Sequence, residues 1–493
     1  MQRSRKSGIL LHPTSLPGPG GIGSLGEECR AFLDFLRKAG QSLWQVLPLG
    51  PTAYGNSPYS CYSAFAGNPL LIDLEALAEE GDIAGNDLQE GFSDDRVEFS
   101  RVEKYKFDTL RTAAANFLAG GDSSRLEDFR WYCESNPWLH DYALFMAVKE
   151  AHHGKSWRQW PEGIARRAPD ALSEFSRQLG PQVAAHKYMQ WQFFRQWGRV
   201  KGYANANGVE VIGDIPIFVA YDSADVWSNP HLFHLDEGGR PLVVAGVPPD
   251  YFSKTGQLWG NPLYNWDALA FHGYDWWVDR MRSALLLYDQ VRIDHFRGFE
   301  AYWEVPAMEK TAVNGRWMKG PGDALFNALI DVLGPLPIIA EDLGVITPDV
   351  VALRDRFGFP GMKILQFAFG SGPDNPYLPH NHERHAVVYT GTHDNDTTAG
   401  WFDRLPSEEK MRVLDYLDSD GKGIVWSLIR SALASVADTA ILPLQDVFSF
   451  GSDARMNIPG TSSGNWSWRF RVVDLSEDVA ARLEHLTRLY GRA

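Results

Sequence analysis

Cysteine is nearly absent from this sequence: Cys29, Cys61 and Cys133 are the only three in 493 residues. An odd count without metal-ligand spacing excludes a disulfide framework and suits a reducing compartment, so a cytoplasmic protein is expected. Long apolar runs are missing too, and with them a membrane-spanning helix. The basic start Met1–Lys6 leads only to Ile9-Leu10-Leu11 before His12-Pro13, too short for the core of a signal peptide. Positive charge is in deficit, with 47 Lys and Arg against 62 Asp and Glu and a net charge of −15. Nucleic acid and anionic membranes are therefore poor partners, because both are held by a cationic excess. A neutral ligand needs no such field.

What the chain has in plenty is aromatic residues: 18 Trp, 18 Tyr and 27 Phe. Most must pack the core, but aromatic faces also stack on the apolar faces of sugar rings. Eight short apolar runs read as buried strands, at 8–11, 42–47, 210–215, 290–294, 337–341, 362–367, 386–390 and 439–444. Amphipathic helices fit between many of them, as at 29–38, 274–288, 323–333 and 423–436. Thr347-Pro348-Asp349 reads as a cap, a proline in the first turn and an acid. Ser476, followed by Glu477 and Asp478, caps a final helix to Tyr490. The alternation predicts an α/β fold, a (β/α)8 barrel. No helix is apparent between the sixth and seventh strands, so an open doubly wound sheet is the runner-up. We read one barrel domain over 1–493. A largely helical insertion spans 50–209 after the second strand, with its best helices at 137–152 and 184–200. A loop insertion over 220–275 covers the site, and 300–322 is a further elaborated loop.

In such a barrel the active site lies at the carboxyl ends of the strands. The third strand, Val211-Ile212-Gly213-Asp214, ends in an acid. So does the fourth, Val291-Arg292-Ile293-Asp294-His295, and the fifth, Ile338-Ile339-Ala340-Glu341-Asp342. The seventh delivers His393 and Asp394. A lone Asp at a strand end usually caps the next turn, but four coincident rim carboxylates are harder to dismiss. Crowded, partly desolvated carboxyls have pKa values pushed apart, which separates a proton donor from an anion. Glycosidic bond cleavage needs that pair. Arg292, two residues before Asp294 and on the same side of its strand, is expected to hold Asp294 ionised. That makes Asp294 the nucleophile, Glu341 the acid/base, Asp394 the transition-state stabiliser and His393 a neutral donor to sugar hydroxyls. Asp342 points the other way and is expected to be structural.

Gly213-Asp214-Ile215-Pro216, Arg292-Ile293-Asp294-His295, Ala340-Glu341-Asp342-Leu343-Gly344 and Gly391-Thr392-His393-Asp394-Asn395-Asp396-Thr397 resemble the amylomaltases, the 4-α-glucanotransferases of the α-amylase superfamily. The likeness runs from Leu11-His12-Pro13-Thr14-Ser15 to Arg455-Met456-Asn457-Ile458-Pro459-Gly460-Thr461, nearly the whole chain. It implies a barrel without a C-terminal β-domain, retention of configuration, no cofactor and no metal. It implies the same three carboxylate roles, with α-1,4-glucans, maltooligosaccharides and glucose as partners. By motif it adds Tyr59, stacking on a glucose ring, and Ser57 beside it. Gln257 and Trp259 would line the cleft below a mobile loop at 246–253, and Asn457 is a further sugar contact. Asp214, Arg292 and His393 complete the substrate-binding set.

Gly18-Pro19-Gly20-Gly21-Ile22-Gly23 matches a dinucleotide fingerprint literally. Pro19 and the lack of an acid after the next strand oppose that reading, leaving a flexible loop at the barrel mouth. His152-His153 point to different faces of a helix, and His380, His382 and His385 sit in a Pro-rich loop, so solvated histidines rather than metal ligands are expected. An α-amylase-type hydrolase would share the three carboxylates, whereas a non-catalytic glucan binder would not need all of them.

Overall fold

The structure, a computed structural model, describes residues 5–88, 91–249 and 253–493. Twelve strands occur among them. They are β1 (Lys6–Leu10), β2 (Leu43–Gln45), β3 (Glu210–Pro216), β4 (Val243–Val247), β5 (Gln257–Pro262), β6 (Gln290–Asp294), β7 (Ala301–Pro306), β8 (Arg316–Lys319), β9 (Ile338–Ala340), β10 (Gly361–Ile364), β11 (Ala386–Tyr389) and β12 (Thr439–Pro443).

Eight of them form one parallel sheet in the order β10-β11-β12-β1-β2-β3-β6-β9. These are the eight apolar runs seen in the sequence. Each is shielded on both faces, which is why it reads as a continuous hydrophobic stretch rather than an alternating one. The sheet closes at the β9/β10 seam through Ala340 N–H to Pro360 O (2.9 Å) and Met362 N–H to Asp342 Oδ1 (2.8 Å). The fold is thus a (β/α)8 barrel and not an open sheet. The strands are shorter than expected where a rim residue peels away: Glu341 lies just beyond β9, and 365–367 is a 3-10 turn. Between β10 and β11 the chain makes only 3-10 turns, so the barrel lacks one outer helix there.

Close packing explains individual residues in this frame. A Cβ on Gly213 would sit 2.1 Å from the Tyr288 ring, so only glycine lets β3 lie against the helix Asp275–Leu287 and its end. Between β2 and β3 stand the helices Phe99–Gly120, Ser123–Ser135, Trp138–Ala151 and Gly180–Ala206. The last is far longer than the 184–200 expected and joins the insertion to the barrel. Its Trp197 packs against Trp44 of β2 and donates Nε1–H to Leu287 O (2.9 Å).

The segments 220–275 and 300–322, expected as loops, build a second sheet. Strands β5-β4-β7-β8 pair antiparallel in that order. Its inner face carries Ala245, Tyr302 and Glu304, all buried. The Gly18–Gly23 stretch is not a free loop either. Gly21 to Ser24 are buried, a Cβ on Gly21 would meet Phe92 at 2.5 Å, and Arg469 donates to Gly18 O (2.7 Å).

Candidate active site

The parallel register sets the geometry of the barrel mouth. Ile293 lies beside Ala340, so Asp294 and Glu341 follow as neighbours at the ends of β6 and β9, with strands about 4.8 Å apart. Past Asp294 the chain turns sharply: His295 adopts a left-handed conformation (φ 54°). That turn aims the His295 N–H at Glu341 Oε2 (2.6 Å), while Leu343 N–H reaches Oε1 (2.9 Å). Two backbone donors therefore fix the Glu341 carboxyl.

Arg292 stands below, beside Asp214 in the register of β3 and β6. Its guanidinium donates to Asp214 Oδ2 (2.5 Å) and to Asp294 Oδ1 (3.0 Å). Asp214 is buried and sits two register positions lower than Asp294, which aligns with Pro216. It is thus not a fourth carboxylate at the rim. It anchors Arg292 and accepts from Tyr59 Oη (2.7 Å).

The expectation that Arg292 simply holds Asp294 ionised needs correction, because its charge is divided between two carboxylates. Burial raises the Asp294 carboxyl, to about 8; Arg292 opposes the rise, while Glu341, Asp214 and Asp394 add to it. Burial raises Glu341 as well, against Arg292 and the two backbone donors. Two adjacent carboxyls so placed share one proton near neutral pH. Arg292 occupies Asp294 Oδ1, and Oδ2 has no partner among the described residues.

A second cluster faces this pair from the end of β11. Asp394 Oδ1 accepts from Asn457 Nδ2 (2.6 Å) and lies 3.3 Å from His393 Nε2. Arg455 holds the Asp394 carbonyl (2.6 Å). His393 is buried, and burial lowers its pKa, so the ring is neutral near pH 7. It stacks on Tyr59 with ring centroids 5.0 Å apart, so one face of Tyr59 is already covered. Among the described residues no group of three His, Cys, Asp or Glu side chains is placed to hold a metal ion.

A family profile described as 4-alpha-glucanotransferase matches residues 11–475. The chain belongs to the 4-α-glucanotransferase family. It is 54% identical to the 4-alpha-glucanotransferase of Thermus thermophilus across the whole of both chains. It is 50% identical to the chloroplastic/amyloplastic 4-alpha-glucanotransferase of Solanum tuberosum, over 99% of this chain and 86% of the relative. Among solved structures, the amylomaltase from Streptococcus agalactiae in complex with acarbose superposes with a TM-score of 0.97 at 41% identity, covering 99% and 100% of the two chains. The family assignment makes the chain a glycosyl-transferring enzyme.

The remaining residues expected at an amylomaltase site have definite places. Ser57 Oγ accepts from Tyr59 N–H (3.3 Å) and shapes the loop that carries the ring. Trp259, on β5, meets His295 edge-on at 4.7 Å, and its indole N–H reaches Gln257 Oε1 (3.2 Å). Both therefore come to the rim through the second sheet. Of the segment 246–253, residues 250–252 lie outside the described residues.

Three residues escaped the sequence reading. His295 is pushed down to about 3 by burial and then Arg297, and so is neutral beside the acid/base candidate. His12 is likewise pushed to about 3, by burial and then His393. It lines a cleft of about 450 Å³ with His393, Thr392 and Arg455. Trp466, buried in a left-handed conformation, packs against both Tyr59 and His393. Two of these stood inside motif strings, at Leu11-His12-Pro13 and Asp294-His295, and could have been noticed there. Of the loop histidines, His382 is buried between Ser435 Oγ and Tyr377 O, and His380 contacts the Tyr416 hydroxyl.

Proposed function

We propose that this enzyme moves α-1,4-linked glucan segments between maltooligosaccharides, or onto glucose, by a retaining double displacement through Asp294. Glu341 hands its proton to the glycosidic oxygen while Asp294 Oδ2 attacks the anomeric carbon, and the reducing-end fragment leaves with a new 4-hydroxyl. The 4-hydroxyl of an acceptor glucan then attacks the anomeric carbon of the glycosyl ester, and the bond from that carbon to Asp294 breaks. Glu341 takes its proton, Asp294 departs as carboxylate, and the enzyme is restored. The observation that carries this reading is the adjacency of Asp294 and Glu341 on neighbouring strands, with Arg292 on one oxygen of Asp294 and the other without a partner among the described residues. Neighbouring strand ends suit the short carboxyl separation of direct attack rather than the wider gap that admits a water.

Asp394, steadied by Asn457 and His393, is placed to accept from sugar hydroxyls and to balance the charge of the oxocarbenium-like transition state. Tyr59 offers its remaining ring face to a glucose ring. Trp259 and Gln257 exclude water so that an acceptor sugar competes successfully for the intermediate. No described helix is long and apolar enough to cross a membrane, and the three cysteines are unpaired, which supports work in a reducing cytoplasm.

Incubation with maltotriose tests the reading. Glucose and a ladder of longer maltooligosaccharides should appear at constant reducing-end concentration, with retained anomeric configuration. A steady rise in reducing ends would make the protein a hydrolase instead. Mass spectrometry after a slow fluorinated glucosyl donor should find the sugar on the Asp294 peptide, and a label elsewhere would reject the assigned nucleophile.

A further inference from the structure

The first barrel strand brings to the mouth a histidine that the mechanism above does not use. The extended chain of β1 runs on past Leu10: Leu11 N–H donates to Gln45 O (2.9 Å), and His12 keeps extended backbone angles. Leu10 stands in register with Gln45, whose Oε1 takes the Tyr389 hydroxyl inside the barrel (2.8 Å). Alternation along the strand turns His12 to the same side as Leu10, at the carboxyl end of the barrel. The turn that follows is held in place. Ser15 N–H returns to His12 O (3.0 Å), Phe470 N–H donates to Ser15 O (3.2 Å), and Ser15 Oγ meets Met456 Sδ (3.8 Å). Met456 lies between Arg455 and Asn457, the two residues that hold Asp394, and Asn457 N–H also donates to His393 O (3.1 Å). One frame thus carries His12 and His393 on the wall of a single cleft, with Asp394 beside His393.

The two rings have complementary needs. His393 Nε2 stands 3.3 Å from Asp394 Oδ1, so in the neutral ring the hydrogen belongs on Nε2; a lone pair there would face a carboxylate. Nδ1 is then an acceptor, and no described residue donates to it. His12 is the converse. Its Nδ1 is buried with no hydrogen-bond partner among the described residues. An orphaned buried N–H is rarer than an unmatched acceptor, so the His12 hydrogen belongs on Nε2, on the edge of the ring that faces the cleft. Burial lowers both rings, which leaves both neutral near pH 7. Among the described residues no hydrogen bond joins them directly. The cleft they share, about 450 Å³, has room for a water between polar partners.

We propose that His12 is a positioning residue for the transfer reaction: its Nε2–H donates to a water in this cleft, and that water donates to His393 Nδ1. The hydrogen bonds run one way, from His12 to water to His393 to Asp394, and each donor in the row has a hydrogen to give. The row fixes the His393 tautomer with Nε2–H toward Asp394 and the sugar hydroxyls bound there, the arrangement that the stabilising role of Asp394 needs. With the donor at 12 gone, the His393 hydrogen spends part of its time on Nδ1, and the Nε2 lone pair then repels Asp394. His12 touches neither the sugar nor the reacting atoms and acts only through His393. The inference rests on the glucan-transfer reading and deepens it by naming what orients the ring beside Asp394.

Two variants test it. His12→Leu removes the donor, and His12→Gln keeps an N–H near the Nε2 position. Kinetics with maltotriose read the rate, and long-range proton–nitrogen spectra of histidine-labelled protein read the tautomers, with His393 assigned through His393→Gln. In wild type both His393 and His12 should be protonated at Nε2 and bare at Nδ1. In His12→Leu kcat should fall about tenfold with KM within about twofold of wild type, and the His393 signals should move toward a mixture of tautomers. His12→Gln should recover most of kcat and the wild-type signals. Wild-type protein with either ring protonated at Nδ1 overturns the relay without need of a variant. So does a His12→Leu kcat within about twofold of wild type, a Leu variant with unaltered His393 signals, or a Gln variant no better than Leu. Failure of wild type to redistribute maltotriose would instead overturn the transfer reading, since the tautomers are read without turnover.

Discussion

Asp294 concentrates the conflict built into the site. Burial and three neighbouring carboxylates push it up to about 8, and Arg292, shared with Asp214, only partly opposes them. In the proposed mechanism the active form carries one proton on the Asp294–Glu341 pair, so losing that proton would remove the acid. We expect kcat/KM for maltotriose to fall about tenfold per pH unit above pH 8, and a profile flat to pH 9.5 would contradict the shared proton. The same shift has a stability sign. A carboxyl whose folded pKa lies above its unfolded value stabilises the fold fully only below the unfolded pKa, and that contribution is lost as pH rises through about 8. Asp294→Asn should therefore abolish transfer, by about a thousandfold or more, and yet raise Tm relative to wild type at pH 9. The gain should shrink as pH falls and vanish only below about pH 4, the unfolded pKa. Calorimetry showing the variant less stable at pH 9 would mean that Arg292 outweighs the crowding.

At the scale of elements, the rim is assembled from two different sheets. The barrel strands deliver the carboxylates, while the antiparallel sheet brings in Trp259 and Gln257. Gly246 is where β4 and β5 approach most closely in that arrangement. A Cβ there would sit 2.6 Å from Gln257 O, the carbonyl that faces it across β4 and β5. Gly246→Val should therefore push β5 away and withdraw Trp259 from His295. We expect at least about a tenfold loss of transfer rate, with reducing-end release rising relative to transfer. The Tm should change little, because the barrel core is untouched. A variant with unchanged product ratios would show that this hairpin does not control water.

For the whole molecule, the last residues clasp the barrel. Arg492 is buried and donates to the carbonyls of Leu433, Ser435, Ala437, Asp438 and Lys6, bridging the approach to β12 with the start of β1. Substitution by Met would leave buried acceptors unmatched at a cost on the order of 3 kcal/mol. Thermal unfolding of Arg492→Met should shift down by several degrees. An unshifted melt would mean that water serves those carbonyls equally well.

Much of this was readable in advance. The eight barrel strands are legible because a strand covered on both faces must be apolar throughout. The helix Asp323–Leu333 and the cap at Ser476 follow from local periodicity and turn chemistry. Acids at 294, 341 and 394 stand out because they interrupt or end apolar strands. The second sheet did not show itself: β5 is exposed on most of its length, and Arg316–Lys319 reads as a polar loop. Its edge strands β5 and β8 exist through pairing with the more apolar β4 and β7, not through a hydrophobic signature of their own. Sequence alone thus determined which residue types meet at the barrel mouth, since strand direction and alternation decide where side chains emerge. Only tertiary structure decided that Asp214 lies below the rim, that Arg292 divides its charge, and that His12, His295 and Trp466 join the site. Depth, charge sharing and burial are relations between distant segments, and no local pattern encodes them.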